Sequence, residues 1–227
     1  MAACNPESNT ADSSSTSSSD LKNFTDSVSY SFGVSVGSGL KSQKITDINT
    51  DLIAKGISDM LAEQGKFDEQ QANTIITKYM DEIRERNLSA AKSEGDNFLA
   101  ENGKNPDVIT TASGLQYTVI REGDGPKPIA TDQVRVHYHG TLIDGTVFDS
   151  SVDRGEPVTF PVQGVIPGWI EGLQLMNVGS KYKLFIPSDL AYGDRGAGAK
   201  IGPGATLVFD VELLEIVKAD PNQQQPY

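Results

Sequence analysis

At about residue 108 the hydrophobic period of this chain changes from the three-and-four spacing of helices to the two-residue alternation of strands. Before the switch, Leu52, Ile53, Gly56, Ile57, Met60 and Leu61 recur on one helix face, with Thr50-Asp51 as the expected cap. A longer helix is expected from Phe67, with Ala72, Ile75, Ile76, Tyr79, Met80 and Ile83 on one stripe. Beyond Ile83 its surface is polar nearly all round, the pattern of a helix that bridges domains through solvent, and Gly95 marks a site for a bend. After the switch, Val134, Val136 and Tyr138 alternate with Arg135, His137 and His139, and Leu207, Phe209, Val211 and Leu213 lie opposite Asp210 and Glu212. Asp144-Gly145 is a two-residue hairpin signal that puts Phe148 and Asp149 on the outgoing strand. Trp169, Ile170, Leu173 and Met176 form a short amphipathic helix, the plug that a curled sheet needs. The class is α+β.

The expected organisation is a tether over 1–20, a helical domain with a stalk helix over 21–108, a strand-rich domain over 109–219 and a flexible tail over 220–227. The tether is Ser/Thr-rich and buries too little to fold. Ala2-Ala3-Cys4 resembles a bacterial lipoprotein cleavage site, which makes Cys4 a candidate for lipidation and the segment after it a spacer from a membrane. The alternative is an ordinary N-terminus with a free thiol. Gly33 and Gly37, four apart in 30–40, allow two helices to approach closely. So thin a helical core is marginal alone, and pairing with a second copy supplies the missing burial, with a monomeric stalk as the alternative. The net charge of −12 argues against nucleic acid, whose phosphates need a basic patch.

Catalytic groups are scarce among the strands. His137 and His139 share a strand face without the third protein ligand that a catalytic zinc needs, so neither a metal nor a cofactor is expected. Ser150 and Ser151 have no base placed to activate them and read as shaping the turn after Asp149. An aromatic set stands out instead. Tyr138, Phe148, Trp169, Tyr192 and Phe209, with Val158, Val165, Ile166 and Ile201 between them, are spaced to line a dry pocket. A closed core has no use for a carboxylate (Asp149), a guanidinium (Arg154) and two phenols at once, whereas a cleft does.

At these residues the sequence resembles the FKBP-type peptidyl-prolyl isomerases. The motifs are Val-His-Tyr-His-Gly-Thr-Leu (136–142), Asp-Gly-Thr-Val-Phe-Asp-Ser-Ser (144–151), Val-Ile-Pro-Gly-Trp-Ile-Glu-Gly-Leu (165–173), Ala-Tyr-Gly (191–193) and Ala-Thr-Leu-Val-Phe-Asp-Val-Glu-Leu (205–213). Phe-Leu-Ala-Glu-Asn (98–102) and Ser-Gly-Leu-Gln-Tyr (113–117) resemble the bacterial Mip/FkpA-like branch, whose members carry a helical N-terminal dimerisation domain and a long helix.

The resemblance implies a curved antiparallel sheet wrapped round the short helix, with the pocket between. It makes Trp169 the floor under the proline ring and Tyr138, Phe148, Val158, Val165, Ile166 and Phe209 the walls. Tyr192 and the Ile166 N–H become donors to substrate carbonyls, Asp149 a polar partner, Arg154 a brace for Asp149 and Tyr138, and Ile201 a cover at the mouth. Val158 is aliphatic where some relatives place an aromatic, and Ala197 stands where some have histidine. The implied function is Xaa-Pro isomerisation in folding client proteins, without covalent or metal chemistry. The implied partners are proline-containing unfolded chains and FK506/rapamycin-type macrolides, and the implied setting is a lipid-anchored homodimer in the bacterial periplasm or outer membrane. A chaperone-type binding module with incidental isomerisation is the second reading.

Overall fold

The computed structural model describes residues 21–43 and 45–217. Cys4, the 1–20 segment and the 220–227 tail lie outside the described residues. By compactness the chain divides into two units, the first ending at Glu69 and the second beginning at Gln70, which groups the long helix with the sheet.

Helix α1, Phe24–Ser42, starts where the Asn23 side chain accepts from Asp26 N–H at 2.9 Å, and carries Asp26 in its first turn and Lys41 in its last. Both charges suit the helix dipole. Helix α2, Thr50–Leu61, is capped by Asn49 rather than by Thr50-Asp51. The Asn49 amide oxygen accepts from both Asp51 N–H (3.0 Å) and Leu52 N–H (3.1 Å), the geometry for which Asn is favoured at that position. Neither helix buries a residue, and Phe24, Phe32 and Leu61 are 83%, 70% and 84% exposed.

Helix α3, Glu69–Asn102, runs unbroken through Gly95. The sequence suggested a bend there and a solvent-spanning helix, but the C-terminal half of α3 is docked. A Cβ on Gly95 would lie 2.2 Å from Thr206 Oγ1, so this position is glycine because the sheet unit comes too close for anything larger. Leu88 and Lys92 pack on Gly204 in the same way, and Phe98 meets Phe185 with ring centroids 6.0 Å apart. Gln116, buried at the start of the second strand, donates to Leu99 O and accepts from Asn102 Nδ2, both at 2.9 Å. The spacing 88, 92, 95, 99, 102 is one helix stripe, apolar or small except where it is matched by polar partners.

The strands are β1 (Ile109–Thr110), β2 (Gln116–Arg121), β3 (Gln133–Leu142), β4 (Val147–Ser150), β5 (Val158–Pro161), β6 (Lys181–Ile186) and β7 (Leu207–Val217), joined by the short helices α4 (Ser151–Arg154) and α5 (Pro167–Leu175). They form one antiparallel seven-stranded sheet in the order β1-β2-β6-β7-β3-β4, with β5 also paired to β3. The alternation seen in the sequence holds: Val134, Val136, Tyr138, Leu207, Phe209, Val211 and Leu213 all face the core. Burial of each such side chain stabilises the fold by about 1.5–3 kcal/mol. The Asp144-Gly145 turn is longer than a two-residue hairpin because the Asp144 carboxylate accepts from Thr146 N–H (2.8 Å) and Gly145 takes a left-handed φ of 86°. Helix α5 lies so close to β6 that a Cβ on Gly168 would meet Ile186 at 2.4 Å and one on Gly172 would meet Leu184 at 2.8 Å.

Replacing Gly95 with Ala tests the docked helix. Overpacking costs about 1–3 kcal/mol, which outweighs the gain of up to ~1 kcal/mol in helix propensity. Chemical denaturation should therefore show lower stability for Gly95→Ala, and an increase would mean that α3 stands away from Thr206.

Candidate active site

Inward positions of β3 bring Val134, Val136 and Tyr138 to the concave face of the sheet, and the next is Gly140. A Cβ there would strike Phe148 at 2.7 Å and Phe209 at 2.8 Å. The missing side chain lets those two rings meet at 5.3 Å, nearly perpendicular at 83°. Trp169, delivered by α5, stands edge-on to Tyr138 (5.4 Å), Phe209 (5.2 Å) and Phe160 (5.9 Å). Such pairs use the ring quadrupoles and fix one another's orientation. The Trp169 indole N–H is buried without a hydrogen-bond partner among the described residues.

The cleft above these rings has a volume of about 740 Å³. It is lined by Tyr138, Phe148, Asp149, Phe160, Gly164, Val165, Ile166, Trp169, Tyr192, Phe209 and the loop from Ala197 to Ile201. The structure thus gathers the expected set with two differences. Val158 packs on the core without lining the cleft, and Phe160, two residues on and on the same face of β5, takes that wall. The wall is therefore aromatic, supplied from a neighbouring position. Arg154 stands behind the cleft rather than in its lining.

Tyr138, Asp149 and Arg154 form a closed triangle. Tyr138 Oη donates to Asp149 Oδ2 at 2.5 Å, Arg154 Nη2 donates to Tyr138 Oη at 2.9 Å, and Arg154 Nη1 donates to Asp149 Oδ1. The guanidinium also lies 5.7 Å from the Tyr138 ring centre. Burial alone would raise the Asp149 carboxyl pKa, but the hydrogen bonds from Tyr138 and Arg154 more than offset it and hold the group below the usual carboxylate range. Burial and the bond to Asp149 push the Tyr138 phenol up, so it stays a donor. The polar tips of Tyr138, Asp149 and Arg154 are thereby satisfied by one another.

Two donors besides the Trp169 indole have no such partner. The Ile166 carbonyl accepts from Trp169 (2.9 Å) and Ile170 (3.1 Å) to start α5, while its N–H has no acceptor among the described residues. Tyr192 is 42% exposed, and its hydroxyl has no partner among the described residues. At the mouth, Ala197 and Ile201 bridge each other, and Lys200 Nζ reaches the carbonyls of Val147 (3.3 Å) and Phe148 (3.4 Å) across the opening.

The histidines are half-buried rather than solvent-facing. His137 Nδ1 lies 3.1 Å from Ser151 Oγ, and His139 Nδ1 lies 3.0 Å from Ser150 Oγ. Ser150 caps α4 by accepting from Asp153 N–H (3.1 Å), and buried Ser151 accepts from Tyr138 N–H (2.8 Å), so both serines shape the turn. Among the described residues no group of three or more His, Cys, Asp or Glu side chains is arranged to hold a metal ion. Of the residues that sequence reasoning missed, Phe160 and Gly140 were accessible from the two-residue period, as the inward neighbours of Val158 and Tyr138. Lys200, in a loop without period, left no such signal.

Comparison with known proteins fits this geometry. A model of the FKBP-type peptidyl-prolyl cis-trans isomerase matches residues 125–214, and a model of the domain amino terminal to that isomerase matches 25–119. The FKBP-type 22 kDa peptidyl-prolyl cis-trans isomerase of Escherichia coli is 50% identical over 195 residues, covering 83% of this chain and 94% of that protein. The outer membrane protein MIP of Legionella longbeachae is 44% identical over 212 residues, covering 90% and 91%. The crystal structure of FkpA from Escherichia coli superposes with a TM-score of 0.70 at 36% identity, covering 88% of this chain and all of that one.

The triangle makes acid stability a readout. A carboxyl whose folded pKa is depressed stabilises the fold above its unfolded value, and that contribution is lost as pH falls through the folded value. Between about pH 5 and about pH 2 the wild type should therefore lose more stability than Asp149→Asn, measured by denaturant titration at each pH. Equal acid slopes would mean that the Asp149 charge is not held by Tyr138 and Arg154.

Proposed function

The chain belongs to the FKBP-type peptidyl-prolyl cis-trans isomerases, and on that premise we propose that its cleft turns Xaa-Pro bonds by desolvation and by two donors, Tyr192 Oη–H and Ile166 N–H. The observation that carries this reading is the pairing of an aromatic-walled cleft with donors that the protein itself leaves unused. Amide resonance sets a rotation barrier of ~18–20 kcal/mol, and uncatalysed prolyl isomerisation takes about 10–100 s. At the barrier the C–N bond has lost its resonance and much of its polarity. A dry pocket floored by Trp169 therefore favours the twisted amide over the planar one, which is catalysis by differential binding. Ile166 N–H and Tyr192 Oη–H hold the carbonyls that flank the proline. Asp149 and Arg154 keep the Tyr138 ring upright as a wall, and Ile201 covers the mouth. No proton, electron or covalent bond changes hands.

The natural substrates on this reading are proline-containing chains that are not yet folded, and the cleft volume also suits FK506/rapamycin-type macrolides. The exposed Phe24, Phe32 and Val34 of α1 and Leu52, Met60 and Leu61 of α2 support a homodimer through these helices, because so much bare apolar surface calls for a cover. They also support a second reading, in which the same helices hold unfolded clients and isomerisation accompanies that capture. We place the domain that does this at 21–108 and the isomerase domain at 109–219. Lipid anchoring through Cys4 and an address in the bacterial envelope complete the proposal. Its support is the Ala2-Ala3-Cys4 motif and a relative named as an outer membrane protein; no described helix is long and apolar enough to cross a membrane.

Tetrapeptide cis-to-trans isomerisation by the full chain tests the site. Tyr192→Phe removes one hydrogen bond worth about 0.5–1.5 kcal/mol, so kcat/KM should fall about 2- to 10-fold. Unchanged turnover would remove Tyr192 from the site. Phe32→Glu with Met60→Glu should turn a dimer into a monomer by light scattering and weaken retention of a denatured protein, while tetrapeptide turnover persists. A wild type that is monomeric throughout would end the dimer proposal.

A further inference from the structure

Helix α3 reaches the segment that carries Tyr192 from two directions. At its base, Leu88 and the stem of Lys92 lie against Gly204, whose φ of 74° and lack of Cβ permit the approach; a Cβ there would be 2.9 Å from Leu88 Cδ1 and 3.1 Å from Lys92 Cγ. Gly204 N–H in turn donates to Gly193 O at 3.0 Å, the residue after Tyr192. From above, Lys92 Nζ pairs with Asp194 Oδ1 at 2.7 Å and lies 3.8 Å from Asp189 Oδ1. These two carboxylates sit in the one-turn helices Ser188–Leu190 and Gly193–Arg195 that bracket Tyr192.

On the near side the backbone flanking Tyr192 is held by Leu190 and Ala191, which pack against the core, and on the far side the tie to α3 adds to the Gly204–Gly193 bond. The Tyr192 hydroxyl has no partner among the described residues, so its position over the cleft depends on the backbone on either side of it.

We propose that Lys92 is a positioning residue for isomerisation: by tying Asp194 and Asp189 to α3 it fixes the segment that holds the Tyr192 hydroxyl over the cleft. The stalk helix then braces the active-site wall from outside the cleft. The inference rests on the role proposed above for Tyr192. The ion pair is exposed, with side-chain accessibilities of 38% for Lys92 and 61% for Asp194, so its effect is modest and sensitive to salt. Misplacement of a positioning group by a small distance is nonetheless felt in turnover.

The test uses the full chain as Lys92→Met, Lys92→Arg, Tyr192→Phe and Lys92→Met/Tyr192→Phe, with tetrapeptide isomerisation measured at low salt and at about 0.5 M NaCl. At low salt Lys92→Met should lower kcat/KM about 2- to 5-fold, the range open to an exposed ion pair. Lys92→Arg should restore it, high salt should erase the difference, and the double variant should match Tyr192→Phe alone. Amide hydrogen exchange across 188–206 should be faster in Lys92→Met than in wild type. Wild-type turnover and exchange in Lys92→Met, or a loss that adds in full to that of Tyr192→Phe, would overturn the proposal. If Tyr192→Phe itself turns over normally, the role of Tyr192 fails and this inference fails with it. An impaired Tyr192→Phe beside a normal Lys92→Met removes the tether alone.

Discussion

The long antiparallel ladder between β3 and β7 sets everything else in the second unit. It runs from Gln133 opposite Val217 to Leu142 opposite Leu207, with one irregularity between Arg135 and Val136. Because strand side chains alternate, a slip of one residue would turn one of the two strands over, sending Tyr138 outward and His137 inward in β3, or Phe209 outward and Asp210 inward in β7. The register instead sets Gly140 opposite Phe209, the one pairing at which a gap in β3 meets a ring from β7. The cleft exists because that gap admits Phe209 and Phe148 together, and because Gly168 and Gly172 let α5 bring Trp169 down onto them.

The inner part of the resulting site works with its charges already neutralised. Asp149 and Arg154 are spent on each other and on Tyr138, so what faces a bound peptide is ring surface and a few donors. That economy suits a reaction whose barrier is the loss of amide resonance rather than the movement of a proton. It contrasts with the first unit, where α1 and α2 leave their apolar side chains bare.

Features with a period were legible in the sequence. The inward faces of β3 and β7 followed from alternation alone, and α5 from its spacing after Pro167-Gly168. The triangle was legible through the family resemblance, which makes Arg154 a brace for both Asp149 and Tyr138, whereas the residues alone leave Asp149 to hold either Tyr138 or Arg154. Phe160 was passed over in favour of Val158 although the two-residue period puts both on one face of β5, because the period alone does not say which of the two reaches the cleft. The docking of α3 was illegible for a different reason. A polar stripe reads as solvated unless its partners are known, and those of Lys92, Gly95 and Asn102 lie on segments far along the chain. Gly95 was weighed as a weak point in a helix, when its lack of a side chain is what admits Thr206.

One loop contact has a consequence away from the cleft. Strand β4 is an outer strand of the sheet, and a free strand edge is a template on which another extended chain can grow. Lys200 places an ammonium against the Val147 and Phe148 carbonyls of that edge. An incoming strand would have to displace that charge before it could take up its hydrogen bonds, so the outer strand carries its own barrier to edge-on pairing.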